Sequence, residues 1–205
     1  MCSQFRPSAA RTLYEHFGAN RILDCSAGWG DRCVAAIDKE QYLGVDPSPK
    51  LVPLYEKMLY TYRRVIQGTV EIIHEPFEDA EIPYKDFDMV FTSPPYFNKE
   101  KYDDSETQSW KRYSTKDRWL TGFMYPLIEK CHEALKDGGI MALNIANVKD
   151  GKKEYEDICT PMHNYALKHG FKFQEVMGLQ LSLTPNSCAR PEIPFGEPIF
   201  IYEKV

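Results

Sequence analysis

Short apolar, β-prone runs alternate with longer stretches of helical periodicity along this chain. A first helix is expected from about Pro7 to Phe17, with Pro7 at its start and Gly18 as the stop. Arg21-Ile22-Leu23-Asp24-Cys25 then reads as a strand and Asp31 to Asp38 as a helix. Tyr42-Leu43-Gly44-Val45-Asp46 is a second strand, followed by a helix from about Pro49 to Gln67. Val70-Glu71-Ile72-Ile73-His74 is a third strand and Phe87-Asp88-Met89-Val90-Phe91-Thr92 a fourth. A helix over roughly Thr115 to Lys136 meets Gly138-Gly139, which opens the strand Ile140 to Ile145. Another helix is expected over about Lys153 to His169, and the chain closes on two strand-like runs, Phe171 to Leu181 and Pro198 to Glu203.

Strands alternating with helices imply a mostly parallel sheet covered on both faces. The last two strands have no helix between them, which predicts a hairpin and one antiparallel strand. The expectation is an α/β, Rossmann-like single domain over residues 1–205, without repeats or low-complexity tracts. Two segments, Tyr96 to about Ser114 and Thr184 to Glu197, are longer than connection requires and leave from the same end of the sheet.

Composition narrows the classes of function. A chain of 205 residues can bury a substantial core as one domain. No apolar run reaches membrane-spanning length, and the first residues lack the apolar stretch of a signal peptide, so a cytoplasmic protein with no membrane partner is expected. The six cysteines show no CxxC spacing and no zinc-like pairing with the five histidines, so they read as packing residues and no metal is expected. A net charge of −5 argues against coating duplex phosphate over a wide face, while leaving a local basic groove open.

The chemistry concentrates where the fourth strand ends, at Ser93-Pro94-Pro95-Tyr96. Two consecutive prolines cannot continue a central strand, because each lacks a ladder donor and fixes φ. They stiffen the backbone at the place where open α/β sheets hold ligands. A serine oxygen and fixed carbonyls beside an aromatic ring suit a flat, amino-bearing substrate; an ordinary proline turn is the alternative. At the first strand, Asp24-Cys25-Ser26-Ala27-Gly28-Trp29-Gly30 makes a glycine turn into a helix, an imperfect Gly-x-Gly-x-x-Gly with Cys33 in the third place. With Asp46 ending the second strand as an acceptor for ribose hydroxyls, these features fit a nicotinamide site and an S-adenosylmethionine site about equally.

The order of motifs decides between them. Asp-x-x-x-Gly-x-Gly, then Asp46, then Ser93-Pro94-Pro95-Tyr96, then Leu135-Lys136-Asp137-Gly138-Gly139 together resemble the class I S-adenosylmethionine-dependent methyltransferases over nearly the whole chain. The proline motif is similar to that of the amino-methyltransferases of DNA, with serine closer to the N4-cytosine branch than to the N6-adenine branch. The resemblance implies a seven-stranded sheet with an antiparallel C-terminal strand, and S-adenosylmethionine as cofactor. It implies that Asp24, Ser26, Gly28, Trp29 and Gly30 hold the methionine and ribose end and that Asp46 binds the ribose hydroxyls. Pro76 stands where family members often carry an acid, which leaves Phe77, with Glu78 beside it, to pack the adenine. Phe5-Arg6-Pro7-Ser8 is similar to the segment that closes over the methionine moiety, with Arg6 paired to its carboxylate.

Ser93 and the Pro94 carbonyl would accept hydrogens from the substrate amine, with Pro95 fixing the turn and Tyr96 stacking on the base. Phe97, Tyr102, Trp110, Asn186 and Arg190 are further substrate candidates. The segment from Asn98 to Arg118 interleaves basic and aromatic residues, as single-stranded nucleic acid requires, yet its acids bring its net charge close to zero. A base in a duplex would have to flip to reach this site, which favours single-stranded or mispaired substrates. No separate target-recognition region is visible, so the two long loops or a partner would read context. The reading is thus an N-methyltransferase acting on nucleic acid, DNA ahead of RNA. The alternatives are RNA, a small amine, or a non-catalytic subunit that binds cofactor or nucleic acid.

Overall fold

Strands β1 (Arg21–Asp24), β2 (Gln41–Val45), β3 (Thr69–Ile73), β4 (Phe87–Thr92) and β5 (Leu135–Asn144) pair in parallel in a computed structural model. It describes residues 5–97, 101–102, 104–149, 155–180 and 196–205. A two-residue ribbon, β6 (Val148–Lys149) with β7 (Tyr155–Glu156), stands outside the main sheet. Strands β8 (Phe171–Gln180) and β9 (Gly196–Lys204) form the expected hairpin, and β9 inserts antiparallel between β5 and β8. The sheet order is β3-β2-β1-β4-β5-β9-β8, seven strands with one running against the rest.

The central strands are apolar on both faces because both faces are covered. Ile22 of β1 pairs with Met89 of β4, and both point toward helices α1 (Pro7–His16), α2 (Asp31–Ala35) and α3 (Val52–Tyr62). Their neighbours Leu23 and Val90 also pair and point to the opposite core. That second core is closed by α5 (Lys116–Trp119), a π-helical turn (Leu120–Met124), α6 (Tyr125–Ala134) and α7 (Cys159–Lys168), with the short α4 (Ser109–Arg112) preceding them. Phe91, Met89 and Ile22 on one side, and Trp119, Leu127 and Met141 on the other, are fully buried.

Several expected elements differ in extent. Helix α2 ends at Ala35 rather than Asp38, and α3 spans Val52–Tyr62 rather than Pro49 to Gln67. The helix expected from Thr115 to Lys136 runs from Lys116 to Ala134 and carries a π turn between α5 and α6. A Cβ on Gly122 in the π turn would lie 2.3 Å from the Tyr113 ring, so that ring docks against bare backbone there. Strand β5 starts at Leu135, not Ile140, because Leu135 is already extended and pairs with Phe87 across a register shift. The helix foreseen from Lys153 starts only at Cys159. Asn147 Oδ1 accepts the Ile158 and Cys159 amides at 3.0 and 2.9 Å and so fixes its first turn, while Tyr155–Glu156 pairs with β6.

Candidate active site

The carboxyl ends of the parallel strands open into one cleft of about 250 Å³. It lies where the connections from β1 and β4 leave toward opposite sides of the sheet, the place at which such sheets bind ligands. Each strand end contributes to its wall: Ser26 to Trp29 after β1, Asp46 to Ser48 after β2, Pro76 to Glu78 after β3, Ser93, Pro95 and Tyr96 after β4, and Asn144 at the end of β5.

The turn after β1 is built on a buried ion pair. Arg32, from α2, donates to both oxygens of Asp24 at 2.7 and 3.2 Å. Tyr42 adds a third donor at 2.8 Å and the Ser26 amide a fourth at 3.2 Å. Asp24 is fully buried and does not line the cleft, so it shapes the turn from beneath, where the sequence placed it against the cofactor. Gly30 is likewise off the cleft: it starts α2 at φ 88°, and a Cβ there would meet Met58 Sδ at 2.9 Å. Gly28, Ser26 and Trp29 do line it, Trp29 as a rim residue that is 61% exposed. Phe5 packs edge-on against Phe91 with centroids 5.4 Å apart and lies under the Arg32 guanidinium, which brings Arg6 to the cleft wall.

Asp46 faces this turn. Its two oxygens accept the Gly28 and Ser48 amides, each at 2.9 Å. Burial pushes its carboxyl up to about 6, against the pull of those two amides. A nearly buried carboxylate with remaining lone pairs in a cleft is suited to accept paired hydroxyls.

The next wall is held from outside by Lys130 of α6. Its ammonium donates to the carbonyls of Phe77, Glu78 and Ala80 at 2.9, 2.7 and 2.8 Å, which pins the turn carrying the Phe77 ring. Glu78 accepts from Arg112 at 2.8 Å and from the Tyr113 hydroxyl at 3.0 Å. Burial raises the Glu78 carboxyl above its ordinary value, with Arg112 and Tyr113 among the groups opposing the shift. Helix α4 is thereby latched onto the turn after β3.

At the end of β4 the Ser93 hydroxyl borders the cleft and makes no hydrogen bond to protein among the described residues. Pro94 is buried and, unlike Ser93 and Pro95, does not line the cleft, so its expected contact with a substrate amine is not seen here. Phe97 donates its amide to the Pro95 carbonyl at 3.0 Å and takes φ 47°, a left-handed conformation that a bulky residue adopts only when its surroundings impose it. Tyr96 lines the cleft and donates its hydroxyl to Glu197 Oε2 of β9 at 3.3 Å.

Among the substrate candidates, Tyr96 and Tyr102 reach the cleft. Phe97 and Trp110 do not: Phe97 packs edge-on against Trp119 with centroids 6.2 Å apart, and Trp110 sits beneath the Lys101 ammonium at 4.7 Å. Asn186 and Arg190 lie outside the described residues. The structure adds Asn144, whose amide donates to the Pro198 carbonyl at 3.1 Å, together with Glu197 and Leu179. Their sequence signal is weak, since all three sit at the ends of ordinary strand runs. Among the described residues there is no cluster of three or more histidine, cysteine, aspartate or glutamate side chains that could hold a metal, and no helix is long and apolar enough to cross a membrane.

Solved structures share this architecture. TrmN from Thermus thermophilus matches with a TM-score of 0.63 at 14% identity, over 97% of this chain and 49% of that one. A protein from Pyrococcus horikoshii assigned as an RNA methyltransferase matches with a TM-score of 0.61 at 13% identity, over 97% and 83%. Magnesium protoporphyrin IX methyltransferase from Synechocystis, solved with bound S-adenosylmethionine, matches with a TM-score of 0.60 at 11% identity, over 97% and 79%. At these identities the likeness shows the fold, that of class I methyltransferases. No curated protein matches the chain by sequence. Residues 87–204, from β4 with its Ser-Pro-Pro-Tyr exit through β9, match the DNA methylase family of N6 and N4 methyltransferases, and the chain belongs to that family.

Proposed function

We propose that this protein is an S-adenosylmethionine-dependent methyltransferase that methylates an exocyclic amino nitrogen of a nucleobase in DNA, N4 of cytosine or N6 of adenine. One observation carries the reading: Ser93, whose hydroxyl has no protein partner among the described residues, lines the same cleft as the nearly buried Asp46.

The residues present fit the cofactor. Asp46 offers carboxylate oxygens for a ribose diol, Phe77 a ring held in place for a purine, and Ser26, Gly28 and Arg6 polar groups for an amino-acid end. Bound there, S-adenosylmethionine supplies an electrophilic methyl group. An exocyclic amine is a weak nucleophile, because its lone pair is delocalised into the base. Ser93 Oγ accepts one of its hydrogens and draws the nitrogen toward tetrahedral geometry. Tyr96 holds the plane of the base, and its bond to Glu197 fixes the ring. The rigid Pro94-Pro95 step keeps this acceptor aimed without reorganisation, so catalysis rests on positioning and fixed dipoles.

RNA is the second reading, supported by the likeness to the Pyrococcus protein assigned as an RNA methyltransferase. Either polymer would need a partner or the long loops to define context. The test is transfer of a labelled methyl group to single-stranded DNA, duplex DNA and RNA by the wild type and by Ser93→Ala. Transfer to DNA that falls about 100-fold or more in the variant, at unchanged cofactor affinity, supports the reading. Undiminished transfer by Ser93→Ala contradicts it.

A further inference from the structure

Three of the cations expected to meet nucleic acid in the segment after β4 are already engaged. Lys111 pairs with Glu106 at 2.9 Å, Arg112 with Glu78 and Asp79 at 2.8 Å each, and Lys101 lies over the Trp110 ring. A different face carries cations that are not. Helix α3 turns Tyr55 and Met58 inward toward Gly30, which points Pro53, Lys57 and Tyr60 to solvent at i, i+4 and i+7, and Arg64 continues the stripe just past the helix end. Tyr60 is 68% exposed, with the Arg63 guanidinium 3.9 Å from its ring centroid. Among the described residues Lys50, Lys57 and Arg64 form no ion pair.

The stripe has a direction. Its N-terminal end is Lys50, which lines the same cleft as the exposed Trp29. Between Lys50 and Arg64 there are four cations and one acid, Glu56, in a chain whose net charge is −5. We propose that this outer face of α3 is a track for the phosphates of a single nucleic-acid strand, delivering it to the cleft mouth at Lys50 and Trp29. The proposal rests on the nucleobase reading above and names where its polymer lies. Phosphates supply the negative charge that unpaired cations attract, and the exposed Tyr60 and Trp29 rings offer faces on which unpaired bases stack. By helical rise, Lys57 and Arg64 stand roughly 10 Å apart along the axis, so they meet different phosphates.

The test compares Lys57→Glu/Arg64→Glu with a control of equal charge change, Lys168→Glu/Lys172→Glu, on exposed positions near the amino end of β8, away from the cleft. Binding of fluorescent single-stranded DNA and RNA oligonucleotides is followed by anisotropy over a range of salt, alongside cofactor affinity and the KM for methyl transfer. The α3 variant is expected to weaken binding and raise KM about tenfold or more. Its log–log salt slope should shrink by about 1.4, two phosphates at ~0.7 each, with cofactor affinity unchanged. The control should match wild type. Equal losses in both variants, or none in the α3 variant while wild type binds, overturn the track and leave the amine chemistry standing. If wild type neither binds nor methylates either polymer, the nucleobase reading fails and the track with it.

Discussion

The Arg32 guanidinium lies 2.7 Å from Asp24 Oδ2, in an ion pair sealed beneath the glycine turn. The acid that opens the cofactor motif therefore acts through architecture: it anchors α2 to the end of β1, and the amides and carbonyls of the turn take their positions from that anchor.

Removing one partner leaves the other charge buried without compensation. Asp24→Ala should cost about 3–5 kcal/mol in urea unfolding, and an Asp24→Ala/Arg32→Met double variant should recover part of it. A single-variant cost below about 1 kcal/mol would mean that the pair is not sealed.

With Asp46 at the proposed diol site, cofactor binding should depend on pH. Its folded carboxyl titrates at about 6, and an unfolded aspartate near 3.9. Between those values the folded state holds the extra proton, so the contribution of Asp46 to stability falls as pH rises from about 4 to about 6 and is constant above. Ligand affinity runs the other way, because only the carboxylate offers both oxygens as acceptors. Calorimetry should show S-adenosylmethionine affinity dropping as pH falls below about 6, and Asp46→Asn should weaken binding and flatten that profile. A wild-type affinity independent of pH between 5 and 7 would remove Asp46 from the diol site.

Lys130 touches no ligand-facing surface, yet it holds three carbonyls of the turn that presents Phe77. Lys130→Met should raise the KM for S-adenosylmethionine about tenfold while leaving kcat within about twofold. A loss in kcat with KM unchanged would point to a different role.

At the substrate end, Tyr96→Ala should weaken binding of a single-stranded oligonucleotide by about 1–3 kcal/mol, the usual worth of one stacked base. Tyr96→Phe keeps the ring and removes the hydroxyl that donates to Glu197, so it should retain most of that affinity. Equal losses in the two variants would show that the hydroxyl matters and the ring does not.

Much of this was legible in the sequence, for identifiable reasons. Apolar runs such as Phe87 to Thr92 mark strands buried on both faces, and the hairpin followed from two strands with no helix between them. Helical periodicity near Lys153 carries no trace of the Asn147 side chain that delays the helix to Cys159. The motif at Asp24 does not reveal its burial, because its partner, Arg32, lies on the next helix. Asn144 and Glu197 reach the cleft because β9 inserts beside β5, a pairing between segments far apart in the chain. The basic segment after β4 could be read for charge but not for partners, and the fold pairs Lys111 and Arg112 with nearby acids.

Digesting wild-type reaction products to nucleosides and locating the methyl group by mass spectrometry decides whether the cleft directs a methyl group onto an exocyclic amine. The expected product is N4-methylcytosine or N6-methyladenine, lost in Ser93→Ala. A methyl group on a ring carbon or a ribose oxygen, or cofactor binding with no methyl transfer to any nucleic acid, would overturn the amine assignment.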